Sequence, residues 1–212
     1  MSIHPVSVVQ TTKDLAVEIL DHSAFSSLDS ADALDKKIDE RLKDSCIEGI
    51  DEANYKLFGV VCEFNHTIAF LMEHYRALLE YGSYVKPAVR EILEQNPMKK
   101  GYHFAPGMET LLPKWANLYG ALVIITSHGP DFFPIIHELM AQLNISSDKY
   151  IVLSAKNSSH GEALKLKMNG LDGRNYVVAS NNGMNLLSYQ QAFPTRMHRI
   201  SLYQADFLLE VN

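Results

Sequence analysis

Short, continuous apolar runs rich in β-branched residues recur along this chain, and each is followed by a stretch with helical spacing. Leu57-Phe-Gly-Val-Val-Cys62 is the first; residues 121–126, 150–154 and 176–179 supply three more. Runs of this length, without polar alternation, suit strands buried on both faces. The intervening spacing predicts helices over about 68–80, 85–95, from Pro106-Gly107 through Trp115, 132–143, 161–168 and 186–192. A last strand-like run lies within 200–211. Strands alternating with helices build a three-layer α/β domain, a parallel sheet with helices on both faces. In such sheets ligands bind beyond the carboxyl ends of the strands, so the residues just after each run are where chemistry is expected.

Residues 11–54 read differently. Leu15, Ile19 and Leu20 share one helical face, a serine-rich break follows at 26–30, and Asp29 or Ser30 is placed to cap a second helix carrying Leu34, Ile38 and Leu42. The expected organisation is an N-terminal helical extension over 1–54 and a core domain over 55–212. The core carries a two-helix insert at about 68–98. Internal repeats and low-complexity tracts are absent.

Composition excludes several classes. With 47% hydrophobic residues the 212-residue chain can bury a full core, yet no apolar run reaches the roughly 18 residues that span a bilayer. Residues 1–10 do not read as a signal peptide, and Cys46 and Cys62 do not make a disulfide framework; Cys62 reads as a small buried hydrophobe. The expectation is a soluble, cytoplasmic protein without a membrane role. Its net charge of −6 speaks against nucleic acid, since the densest basic cluster is only Lys165, Lys167 and Arg174.

The strand ends carry a pattern. After the first run comes Cys62-Glu-Phe-Asn-His-Thr-Ile68, and the second ends in Thr126 and Ser127. Ser159-His-Gly-Glu-Ala-Leu164 follows the third, and Val177-Val-Ala-Ser-Asn-Asn-Gly-Met-Asn-Leu186 contains the fourth. In this order they resemble the four motifs of the haloacid dehalogenase-like hydrolases, whose fold is a three-layer Rossmann-like parallel sheet. The first family motif is Asp-x-Asp-x-Thr, the third opens a helix with Lys-Gly-x-x-Leu, and the fourth is Gly-Asp-x-x-x-x-Asp. The resemblance spans about residues 55–212. It implies that Glu63 stands at the nucleophile, Asn65 at the general acid, Thr67 at the structural threonine and His160 at the lysine. Ser180 and Asn185 stand at the acidic positions that would hold Mg²⁺.

Each departure weakens phosphatase chemistry. Glu63 keeps a carboxylate but adds a methylene, and a misplacement of about 1 Å can cost about 100-fold in rate. The Asn65 amide cannot give and recover a proton at neutral pH, which removes a factor of about 10² to 10⁴. Ser180 and Asn185 offer neutral oxygens where Mg²⁺ prefers charged ones. The resemblance therefore implies an impaired phosphatase, a pseudoenzyme kept as a binding or regulatory protein for a protein partner or a small anionic ligand. It needs no cofactor, or Mg²⁺ if activity remains. The alternative is a hydrolase with altered chemistry built on Glu63 and the cleft histidines. Thr126, Ser127, Lys156 and His160 are the candidates for holding an anion. His66, His128 and His160 all follow strands and, with Glu63, could make a transition-metal site, or could be plain polar loop residues.

Overall fold

The computed structural model of the chain describes residues 25–45, 51–167, 175–193 and 199–209. The first predicted helix with Leu15, Ile19 and Leu20, and also Cys46 and Arg174, lie outside these residues.

Every helix-forming and strand-forming signal of the core finds its element. The strands are β1 (Ser26–Leu28), β2 (Phe58–Glu63), β3 (Ala69–Leu71), β4 (Tyr102–Phe104), β5 (Ala121–Thr126), β6 (Ile151–Ser154), β7 (Asn175–Ser180) and β8 (Arg199–Ala205). The helices are α1 (Ala31–Ser45), α2 (Glu52–Lys56), α3 (Met72–Glu80), α4 (Pro87–Gln95), α5 (Met108–Leu118), α6 (Phe133–Gln142), α7 (His160–Lys167) and α8 (Gly183–Ala192). Six strands form one sheet in the order β1-β8-β7-β2-β5-β6, with all pairs parallel. The strand carrying Glu63 thus lies centrally, between the strands that end at Thr126 and Ser180. That is the arrangement the motif resemblance requires.

Burial on both faces explains the uninterrupted apolar runs. Val60, Cys62, Leu122, Ile124, Val177 and Ala179 face a core completed by α1, α5 and α6. Val61, Val123, Ile125 and Val178, one residue out of step, face a second core under α7 and α8. The period-two alternation of a strand therefore feeds two apolar layers. Burial also keeps the Cys62 thiol protonated, with its pKa pushed up to about 12.

Two local expectations are corrected. The serine-rich stretch 26–30, read as a break, contains β1, whose Ser26–Leu28 pair with Tyr203–Ala205 at the sheet edge. Ser30 then caps α1, accepting from the Ala33 N–H at 3.2 Å. The helix predicted from residue 68 begins at Met72, because Ala69–Leu71 pair antiparallel with Tyr102–Phe104. The insert after β2 is thus two helices closed by a small two-stranded sheet.

The apolar stripe of α1 is core. Leu34, Ile38 and Leu42 are fully buried, and Asp35 ties the helix to α5 by accepting from Lys114 Nζ at 2.7 Å and Trp115 Nε1 at 2.9 Å. The expected consequence is that Leu34→Ala lowers stability by about 2–5 kcal/mol, the usual cost of emptying a packed leucine site. Urea denaturation of the full chain measures this; a loss within ±0.5 kcal/mol would contradict the packing of α1.

Candidate functional site

Parallel pairing sets the ends of β2, β5, β6 and β7 along one edge of the sheet, with Glu63 in register beside Ile125. Glu63 is only 5% exposed. A buried carboxylate demands hydrogen-bond donors, and both oxygens have one. Ser180 Oγ, at the end of β7, donates to Oε2, and Asn185 Nδ2 donates to Oε1 at 2.8 Å. His160 Nε2 lies 3.4 Å from the same Oε1.

The surrounding turns hold those donors in place. Asn182 caps α8 by accepting from the Met184 N–H at 2.9 Å, which fixes the first turn carrying Asn185. The Asn182 N–H in turn donates to Ser180 Oγ at 3.1 Å. His160 opens α7, and α7 sits hard against α8. The Gly161 N–H donates to Ser188 Oγ at 2.9 Å, and a Cβ at Gly161 would fall 2.0 Å from the Ser188 carbonyl oxygen. Only glycine permits that approach, so Gly161 lets α7 bring His160 beside Glu63.

Asn65 anchors a second network. Its Oδ1 accepts from Thr126 Oγ1 at 3.2 Å, and its Nδ2 reaches Tyr102 Oη at 3.2 Å and His128 Nε2 at 3.4 Å. Thr126 Oγ1 also accepts from the His128 N–H at 3.2 Å. Thr67 is fully buried and accepts from the Asn181 N–H at 3.1 Å, tying the turn after β2 to the turn after β7. Between Asn65 and Thr67 the chain takes a left-handed turn at His66, with φ 64°, and His66 Nδ1 lies 3.0 Å from Tyr75 Oη.

The anion candidates are dispersed between two roles. Thr126 is consumed by Asn65 and the His128 amide, whereas Ser127 and Lys156 are exposed at the rim. Lys156 lies along Gly129, where an added Cβ would stand 3.3 Å from Nζ. Ser127 Oγ is 3.5 Å from His160 Nε2. Ser127 and Glu63 therefore approach the same ring nitrogen. A serine–histidine–carboxylate relay needs one partner on each nitrogen, so this is not one.

The suggested histidine cluster is not formed. His66 is held by Tyr75 and faces His74 with ring centroids 5.7 Å apart. His128 stacks on Phe132 at 4.3 Å, while His160 stays on Glu63. Among the described residues, no three of His, Cys, Asp and Glu are grouped to hold a metal ion. The Mg²⁺ positions also fit that ion poorly. Asn185 presents its amide nitrogen rather than its oxygen to Glu63, Ser180 spends its proton on the same carboxylate, and neither adds charge.

Beside Asn65 opens a cleft of about 230 Å³ lined by His66, His74, Tyr102 and His128, with Ala69, Phe70 and Leu71 as its apolar part. Tyr102, Tyr75 and His74 were not singled out in the sequence. Tyr102 reaches Asn65 only because β4 folds back on β3. The alternation of Tyr102-His-Phe104 between Gly101 and Pro106 is the one local sign of that strand.

Comparison with known proteins adds little. No family model matches the chain, and no curated protein does. Among solved structures, the chain is similar to the HAD domain of the effector protein Lem4 from Legionella pneumophila, an inactive mutant. Identity is 12% and the TM-score 0.45, over 69% of this chain and 84% of that one.

Two outcomes follow from this geometry. Glu63→Ala strands the donors of Ser180 and Asn185 in a buried site, so stability should fall by about 2–4 kcal/mol, with Glu63→Gln losing less. No loss in chemical denaturation would mean the carboxylate is not a structural acceptor. His66 is held below the ordinary imidazole range first by burial and then by the charge of His74, with Glu63 pulling the other way. The folded state therefore takes up this proton later than the unfolded chain does. The stabilisation is complete above about pH 6.5 and disappears as pH falls through the folded pKa. His66→Asn, which tolerates the left-handed turn, should flatten the decline in stability below pH 6.5.

Proposed function

We propose that this chain uses a haloacid dehalogenase-like scaffold as a binding or regulatory protein, with its Mg²⁺-dependent phosphatase chemistry lost. The observation that carries this reading is the state of Glu63. The one carboxylate left at the phosphoryl-transfer positions has both oxygens bound by neutral donors of its own chain.

An attacking carboxylate oxygen has to reach about 3 Å from phosphorus with a free lone pair. To do so, Glu63 would strip the Ser180 and Asn185 donors, each a loss of about 1–3 kcal/mol in a buried site. Every 1.36 kcal/mol added to a barrier slows a reaction about tenfold. Without a bound cation the carboxylate also repels phosphate rather than attacking it. At the acid position Asn65 has its amide oxygen taken by Thr126 and no titratable proton to lend. These deficits are coupled rather than additive, but all act in the same direction.

His160, close to both Glu63 and Ser127, favours one competing reading, a hydrolase with altered chemistry that uses Glu63 with a histidine. The shared ring nitrogen counts against it.

The test is turnover of p-nitrophenyl phosphate and a panel of phosphate monoesters with Mg²⁺, comparing the natural chain with Glu63→Ala and His160→Ala. The expected result is no turnover above the Glu63→Ala background. Turnover abolished by Glu63→Ala would sink the non-catalytic reading, and further dependence on His160 would establish the altered hydrolase.

A further inference from the structure

The two edges of the six-stranded sheet are β1 and β6, and they are protected to different degrees. β1 has three residues, of which Ser26 and Ser27 are exposed, and Ser27 Oγ donates to Asp206 Oδ2 at 2.6 Å. β6 runs Ile151-Val-Leu-Ser154 and pairs with β5 over consecutive residues without a bulge. It carries no charge and no proline, the usual means of blunting an edge. Among the described residues no strand pairs with its outer side.

The Ala155 N–H donates to the Thr126 carbonyl at 2.8 Å. Backbone groups alternate in direction along a strand, so Ile151 and Leu153 also turn theirs to β5, and Val152 and Ser154 turn their N–H and C=O outward. The flanks of this edge are apolar. Ile151 is 39% exposed, and Leu166 on α7 is 78% exposed. A groove of about 350 Å³ lies beside the strand, its apolar part formed by Phe133 of α6, Ala163 and Leu166 of α7, and Val152 and Leu153. An antiparallel partner must set outward groups against outward groups, which restricts the register. A twofold axis at Val152 meets that condition: Val152 faces its own copy and Tyr150 faces Ser154. The same register brings Asp148, just before the strand, to the end of the partner strand that Lys156 follows, and both residues are exposed. An axis at Ile151 sets Asp148 against Ser154, and one at Leu153 sets it against Ser158. Of these three, only the axis at Val152 joins opposite charges, and it does so at both ends.

We infer that β6 pairs antiparallel with β6 of a second copy of this chain, about a twofold axis at Val152, so that two six-stranded sheets join at their edges. Such an interface is isologous, and each contact away from the axis occurs twice. A pair of short strands falls well short of the roughly 1,200–2,000 Å² that a stable complex buries. The exposed Leu166 and the groove at Phe133 therefore complete the contact, and the dimer forms in a concentration-dependent way. This surface is independent of any chemistry at Glu63.

Sedimentation velocity of the full chain, from micromolar to millimolar concentration, measures the association, and amide hydrogen exchange followed by NMR locates it. A monomer–dimer equilibrium is expected, in which the Val152 and Ser154 amides gain protection as the dimer forms and lose it on dilution. The Leu153 amide, bonded to β5, stays protected throughout. Lys156→Asp sets like charges at both ends of the strand pair and should raise the dissociation constant about tenfold. Adding Asp148→Lys to that variant should restore the dimer. Both positions are exposed, so these variants keep the fold. Val152→Pro removes an outward N–H, a change that edge strands tolerate, and should abolish the dimer. A monomer at every concentration overturns the inference. So does a dimer that leaves Val152 and Ser154 unprotected, since it would use another face. Protection of these amides in a dilute monomer also overturns it, because another segment of the same chain would then cover β6. A dimer indifferent to Lys156→Asp rules out the pairing about Val152.

Discussion

A carboxylate buried at the end of the central strand of a parallel sheet has two ways to satisfy its oxygens: a cation can share the site, or neutral donors can surround it. Glu63 takes the second way. Ser180 and Asn185 come from β7 and α8, and His160 comes from α7. One buried side chain therefore holds three elements that converge on the same edge of the sheet. α7 packs on α8 through Gly161, where a side chain would have no room against the Ser188 carbonyl.

The same constraint suits neutral residues at both 180 and 185. With aspartates at 180 and 185, three carboxylates would crowd one site, and like charges at that range raise one another's pKa unless a metal separates them. A serine and an asparagine turn two repulsive neighbours into two donors. Either change alone leaves the site half compensated, with a buried group lacking a partner. Thr67, which bonds the backbone of Asn181 and carries no charge, performs the same structural task with or without a metal.

Much of this was legible in the sequence, and what was not has definite causes. Short apolar runs such as 57–62 and 121–126 announce strands because both faces are buried, and the strand ends pointed to Glu63, Ser180, Asn185 and His160, which the fold does bring together. β1 was missed because an edge strand of three residues, with only Leu28 buried, has no periodicity to detect; its pairing depends on Tyr203–Ala205, over 170 residues away. β3 was read as helix because Ile68-Ala-Phe-Leu-Met72 is apolar throughout and continues into a real helix. The histidine cluster failed for a different reason. Position after a strand places a residue on the rim, but ring direction is set by partners such as Tyr75 and Phe132, which no local spacing reveals.

The left-handed turn at His66 separates the two halves of the site. Glu63 faces inward to β7 and α8, whereas Asn65 and His66 face the insert through Tyr102 and Tyr75. Glu63 and Asn65, two apart on this turn, belong to separate hydrogen-bonded networks, one closed around a buried carboxylate and one beside a cleft. The closed contacts of Glu63 and the open side of the Asn65 network are therefore compatible in one turn.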